Sequence, residues 1–276
     1  MSTQLRSAPD LSCEGQTGRS RRGIDYQDVP RPVAALADEY EPHFIDPPHT
    51  HKRGQLLYAS SGTMVVNTEK ASFTVPPQRA VWIPGGHRHE MRARGNVSVR
   101  TLYIEPDYDP RLPREATLIE VSPLFRELLI EAARLPIEYD ETGRDGRLIR
   151  LIMDELINSP PFPLELPLPS HPRLLQMCQT IIENPGDART LEDWTQETFM
   201  SRRTFTRAFR KETNMSFATW RQNARLMVAL SRLLEGQPVT TVALDVGYSS
   251  PSAFTVMFRR TFGHSPTQYV GTVARH

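Results

Sequence analysis

Cysteine is scarce in this 276-residue chain: there are two, Cys13 and Cys178. Two isolated thiols exclude a disulfide-stapled scaffold and fit a reducing compartment. Long hydrophobic runs are missing as well, none approaching the roughly 20 apolar residues that a membrane span needs. From Met1 to Gly23 there is no apolar core of a signal peptide, only scattered Ser, Gly and Arg (Arg19, Arg21, Arg22). Residues 1–25 therefore read as a disordered tail, and the protein as cytoplasmic with no membrane partner. Net charge is nearly absent, at +1, but hydrophobic residues at 38% and charged residues at 24% exclude a wholly disordered or collagen-like chain. What the chain has is length, enough for two domains and ample core.

The small net charge hides an asymmetry. From His171 to His276 there are 13 Lys+Arg against 8 Asp+Glu, while the rest carries 20 against 24. A basic half of this kind suits a polyanion as well as it suits a solvated face. Patterning divides the chain in the same place. Residues 26–118 alternate β-branched and aromatic runs with Pro and Gly (Gln55–Ser60, Thr63–Thr68, Phe73–Val75, Ala80–Ile83, Val97–Ile104), which predicts a small antiparallel β-domain. Between Ser122 and Ile157 the period lengthens to about 3.6, with one apolar stripe of Leu124, Leu128, Leu129 and Ala132 and a second of Leu148, Leu151, Ile152 and Leu156. This helical hairpin, followed by Pro160, Pro161, Pro163, Pro167, Pro169 and Pro172, makes 119–172 a hairpin plus proline-rich linker.

Residues 173–276 read as all-helical, and they contain a repeat. Two segments superpose at an offset of 49 residues: Phe205 on Phe254, Phe209 on Phe258, Asn214 on Gly263, Ser216 on Ser265 and Trp220 on Tyr269. Each copy has a short helix (Leu191–Thr198; Val239–Val246), a turn, and a capped helix beginning at Ser201 or Ser250. The Phe pairs four apart share the core-facing side, and Asn214 and Gly263 stand where a left-handed residue ends a helix. The outward side of the first capped helix keeps Arg202, Arg203, Thr206, Arg207 and Arg210; the second keeps Ser252, Thr255, Val256, Arg259 and Arg260. A short helix, a tight turn and a second helix with an Arg and Thr face is a helix-turn-helix of the kind that enters the DNA major groove. Two of them, joined by one long helix from Met215 to Gly236, could read successive grooves from a single chain. The first helix, richer in guanidinium forks, should read more sequence than the second.

These residues resemble the AraC/XylS transcription regulators. The resemblance covers about the last hundred residues and rests on Met200-Ser-Arg-Arg203, Phe205-Thr-Arg-Ala-Phe209, Arg225-Leu226, Leu233-Leu234, Val242-Ala243, Gly247-Tyr248, Phe254, Phe258-Arg259-Arg260 and Phe262-Gly-His-Ser-Pro-Thr-Gln-Tyr269. Asn214 stands where the family often has Gly, Phe217 where Pro is usual, and Pro251 opens the second recognition helix. The resemblance implies sequence-specific binding of double-stranded DNA and transcriptional control, usually as an activator, with RNA polymerase as a further partner. The DNA-binding residues are then Ser201, Arg202, Arg203, Thr206, Arg207, Arg210, Ser250, Ser252, Thr255, Arg259 and Arg260, on recognition helices spanning 201–213 and 250–261.

The N-terminal half resembles the cupin barrel through His49-x-His51-x-x-x-Gln55, then Gly62, and Pro84-x-Gly86-x-x-His89. It departs from the metal-binding version of those motifs in carrying Gln55 for Glu and Gln78 for the leading Gly. Side chains two apart on a strand share a face, so His49 and His51 point together. If Gln55 and His89 converge on them, three imidazoles and a carboxamide oxygen suit a divalent ion. The same residues suit a metal-free pocket for an organic effector, or serve only to satisfy buried hydrogen bonds. The reading is thus an α+β multidomain regulator: a cupin-like β-barrel that senses a small molecule or metal, a helical hairpin and linker, and a DNA-binding all-α domain, working as a homodimer with Ser122–Ala133 as candidate dimer surface. A metal-dependent cupin enzyme is the rival; it lacks an acidic ligand, a phosphate loop and a nucleophile motif. A constitutive DNA-binding dimer whose barrel only dimerises is the other.

Overall fold

The computed structural model describes residues 23–162 and 165–273; most of the predicted tail, Cys13 included, lies outside them. At its end, Gly23–Tyr26 form a single 3-10 turn rather than tail, with Tyr26 fully buried against Tyr103. Eight strands follow: β1 (Val33–Tyr40), β2 (Ile45–His49), β3 (Gly54–Thr68), β4 (Ala71–Val75), β5 (Arg79–Ile83), β6 (His89–Ile104), β7 (Thr117–Glu120) and, much later, β8 (Leu166–Pro167). All pairings are antiparallel. The two predicted runs either side of Gly62 are one strand, β3, bent at bulges between Ala59 and Thr63. Gly62 takes φ 76° there, and a Cβ on it would lie 2.1 Å from the Asn96 carbonyl oxygen, so only glycine fits.

This bend builds the domain. The first half of β3 pairs with β5 and the last part of β6, which also holds β1; the second half pairs with β4 and the first part of β6, which also holds β2. Two layers thus share the long strands β3 and β6. Leu57, Ala59, Met64, Val66, Phe73, Val81, Met91 and Val99 fill the space between them. Alternation with period two turns Leu56, Tyr58, Ala80, Trp82 and Leu102 outward, where helices α1 (Pro123–Ala132) and α2 (Arg144–Asn158) cover them.

Within that hairpin each predicted stripe holds in part, with Leu129 and Ala132 of α1 and Ile152 and Leu156 of α2 buried as expected. Phe125, Leu129 and Ala132 of α1 are buried and Leu124 is 51% exposed; in α2 the buried series is Ile149, Ile152, Met153 and Leu156, with Leu151 41% exposed. The series 149, 152, 153, 156 is a clean helical face. Leu148 lies on its shoulder, partly buried against the same core, while Leu151 faces solvent.

The proline-rich segment also departs from expectation. It is not a free linker: Leu166–Pro167 pair with Ala71 and Ser72 as an edge strand on β4, and Pro161 bridges Ile119. An edge tolerates proline because one side of the strand needs no donors. Leu166, 2% exposed, packs with the helical domain and not with the barrel core, and the Trp220 indole N–H donates to the Pro167 carbonyl at 2.8 Å.

The helical domain comprises α3 (Pro172–Glu183), α4 (Leu191–Glu197), α5 (Arg202–Thr213), α6 (Phe217–Leu234), α7 (Val239–Asp245), α8 (Pro251–Phe262) and α9 (Pro266–Val273). The caps are those the residues dictate. Thr190 and Asp193 form a reciprocal capping box; Ser201, Ser216 and Ser250 each accept from the main-chain N–H three residues on. Asn214 (φ 54°) and Gly263 (φ 79°) end α5 and α8 in the left-handed region. Phe205, Phe209, Trp194 and Trp220 form one half of the core, and Phe254, Phe258, Phe262 and Tyr269 the other. No helix among the described residues is long and apolar enough to cross a membrane.

Candidate nucleic-acid interface and barrel cavity

The two α4–α5 and α7–α8 units repeat down to individual hydrogen bonds. Met200 N–H donates to Thr195 O and Phe199 N–H to Gln196 O; Tyr248 N–H donates to Ala243 O and Gly247 N–H to Leu244 O. Each is the 6→1 and 5→2 pair that closes a helix through a left-handed residue. In the second unit that residue is Gly247, at φ 86°; in the first it is Phe199, at φ 55° and 81% exposed, with the Arg173 guanidinium over its ring. Sequence reading placed Phe199 in the turn without signalling its conformation. Arg225 of α6 explains its own place in the motif: half-buried, it donates to the carbonyls of Pro185, Asp187 and Gly247, tying the second turn to the loop after α3. Burial lowers the guanidinium's proton affinity from its ordinary value, and three carbonyl acceptors offset its desolvation.

With the Phe pairs inward, α5 leaves Arg202, Arg203, Thr206, Arg207 and Arg210 exposed. Arg202 pairs with Glu192 at 2.9 Å, both well exposed. The side chains of Arg203, Arg207 and Arg210 have no ion pair or hydrogen bond among the described residues, so their donors face solvent. Ser201 is engaged as cap. On α8, Ser252, Arg259 and Arg260 are exposed, Ser250 caps, and Thr255 is half-buried with its hydroxyl donated back to Pro251 O at 2.9 Å. The outward face of α8 thus offers fewer free donors than that of α5. Val256, 66% exposed, adds an apolar side chain to that face.

In the barrel the structure brings together all four residues singled out from the cupin-like spacing. His49 ends β2 and lies opposite His89, the first residue of β6. His51 lies past the end of β2, so a strand's alternation does not place it; the turn to β3 does. Ring centroids are 4.5 Å apart for His49 and His89, 5.0 Å for His51 and His89, and 5.7 Å for His49 and His51. Gln55 is buried on β3, its carboxamide oxygen 3.0 Å from His51 Nε2 and its nitrogen 3.2 Å from the Tyr103 hydroxyl. Burial pushes His51 down and His89 down to about 4, keeping both rings neutral. These residues line a cavity of about 380 Å³ with Leu36, Asp38, Tyr40, Phe44, Asp46 and Met91. A second cavity of about 530 Å³ lies between the domains, walled by β3, β4 and β6 on one side and α3 and α6 on the other.

Comparison with known proteins also finds two parts, meeting at 193/194, about twenty residues beyond the division that composition suggests. Residues 32–193 match the AraC-like ligand binding domain and residues 194–271 a helix-turn-helix domain. The HTH-type transcriptional regulator NimR of Escherichia coli K12 is 37% identical over 224 residues, spanning 81% of this chain and 82% of its own. The HTH-type transcriptional regulator RipA of Corynebacterium glutamicum is 35% identical over 103 residues, 37% of this chain and 31% of its own. Among solved structures, ToxT from Vibrio cholerae O395 aligns over 88% of this chain and 98% of its own, at 11% identity and a TM-score of 0.38. Two capped, left-handed-terminated reading units behind a ligand-binding β-domain, with NimR alike over most of both lengths, make this chain a member of the AraC/XylS family of DNA-binding transcription regulators.

Proposed function

We propose that the protein is an effector-responsive activator that binds paired DNA sites as a homodimer and contacts RNA polymerase once bound. Ser201, Arg202, Arg203, Thr206, Arg207 and Arg210 read the first groove, with Arg203 and Arg207 supplying base contacts. Ser250, Ser252, Thr255, Arg259 and Arg260 engage the second, mainly through phosphate. The observation that carries this reading is the α5 face, where three arginines stand exposed, with no ion pair or hydrogen bond among the described residues, on a helix whose opposite side is locked by two phenylalanines. Free guanidinium groups suit guanine edges and phosphate alike. The capped N-termini of α5 and α8 add main-chain N–H groups for phosphate oxygens.

The effector is a small molecule or a metal ion, and the cavity around His49, His51, Gln55 and His89 is its seat. Dimerisation through the α1–α2 hairpin is supported by Leu124 and Leu151, the two leucines that face solvent there. Leu124→Glu with Leu151→Glu then yields monomers in sedimentation, while the far-UV spectrum is kept.

The central test is a footprint on the protein's own upstream DNA with a base-substituted series of sites. Arg207→Ala loses about 1–3 kcal/mol of discrimination at one base position. Arg259→Ala or Arg260→Ala weakens binding to every sequence and lowers the salt slope by about one. An unchanged base preference in Arg207→Ala overturns its assignment as a base reader.

A further inference from the structure

The three barrel histidines share a feature that their spacing does not require. Each Nδ1 lies against a main-chain carbonyl two residues away: His49 on Pro47 O at 2.8 Å, His51 on Arg53 O at 2.7 Å, His89 on His87 O at 2.9 Å. A carbonyl only accepts, so each Nδ1 carries the hydrogen, and in the neutral ring Nε2 is then the nitrogen with the lone pair. The backbone thus selects the same tautomer three times and fixes each ring's rotation, the role that outer-shell acceptors play around metal-bound imidazoles.

The remaining nitrogens have little else to do. One ring nitrogen from each histidine lies within 4.8 Å of the other two, the only such group of metal-ligating side chains among the described residues. His89 is 2% exposed and its Nε2 has no hydrogen-bond partner. Such a lone pair is withdrawn from water without compensation. His51 Nε2 faces the Gln55 carboxamide oxygen at 3.0 Å, acceptor against acceptor. Either the amide turns over to present its NH2, or a cation satisfies both atoms.

We propose that His49, His51 and His89 bind one divalent transition-metal ion through Nε2, with the Gln55 carboxamide oxygen as a neutral fourth ligand. Imidazole donors select the borderline first-row ions (iron(II), cobalt, nickel, zinc) over magnesium or calcium. The ligand set carries no charge, so binding is weaker than at a site completed by a carboxylate. The cavity provides room for a further ligand on the open side of the ion. The inference deepens the sensor reading of this cavity and fails separately from the DNA reading.

The test uses untagged full-length protein, treated with chelator and titrated with cobalt(II), whose visible absorption reports nitrogen coordination; zinc(II) then competes. One equivalent per chain is expected. His49→Ala, at a half-buried edge position, and His89→Gln each weaken uptake at least about tenfold. Gln55→Glu tightens it by about tenfold or more, because a carboxylate replaces a neutral amide; a merely structural glutamine gives no such gain. Absence of stoichiometric uptake at micromolar cobalt or zinc overturns the proposal, as does uptake indifferent to both histidine variants. DNA retardation measured on the same samples separates the two readings: retardation without metal uptake sinks only the metal site, and uptake without retardation only the DNA assignment.

Discussion

Phe199 holds a left-handed backbone, φ 55°, that its repeat partner Gly247 reaches without a side chain. A β-carbon in that region costs about 1–2 kcal/mol, and the exposed ring regains part of it from Arg173. Phe199→Gly is therefore expected to stabilise the protein by about 1 kcal/mol, read as a higher melting temperature; a lower one would mean that the ring's packing outweighs the strain. Cys178 offers a second check at this scale. It is fully buried beside Leu174 and Met177, and burial pushes its thiol well above the usual range. In a Cys13→Ser background the native protein should release no thiol to an aromatic disulfide reagent at pH 8, and one on denaturation. Arg53 is the third. Its guanidinium donates to the carbonyls of Gln27, Arg31 and Val29 and meets Glu105 at 3.2 Å, while its own carbonyl receives His51 Nδ1–H. Arg53→Met leaves the buried Gln27 carbonyl and the half-buried Val29 and Arg31 carbonyls without their donor and should cost about 2–4 kcal/mol in denaturant unfolding. Nothing at residue level in the sequence announces these arrangements, because carbonyl partners from distant turns are not encoded in the type of the side chain they hold.

Among the elements, what was legible was local. Caps at Thr190, Ser201, Ser216 and Ser250, the left-handed stops at Asn214 and Gly263, and the Phe pairs four apart all depend on neighbours within a turn or two, and each was readable from its own few residues. Elements defined by what they meet were not. The hairpin stripes were legible except at Leu124 and Leu151, because leucine there looks the same exposed as buried and only the outer barrel face decides between them. Strand β8 was invisible because two residues among six prolines make a strand only where β4 leaves an edge free. The His site was legible in composition, since four side chains at the spacing of a known motif pointed to one place; His51 reaches it by a turn and not by alternation. Leu166 gives the element-scale prediction. It hangs from the barrel yet is buried in the helical core, so Leu166→Ala should cost about 2–5 kcal/mol and separate one calorimetric transition into two.

At the scale of the molecule, two cores meet where α6 lies against β3 and β4 and through one short stretch of chain. Besides Leu166 and the Trp220–Pro167 hydrogen bond, Phe162 stacks on Phe262 of the second reading unit, under the Arg79 guanidinium, and His171 N–H donates to Glu212. The barrel therefore touches both reading units through residues that sequence patterning assigns to neither domain. This has a consequence for the DNA on which a pair of such chains would sit. A reader on slack chain finds its second site at almost any distance, whereas a reader moored by a strand, an indole and a stacked ring has almost no play. The operator should then behave as a ruler: five base pairs inserted between the half-sites turn one onto the far side of the duplex and abolish paired occupancy, while ten, about one full turn, recover part of it.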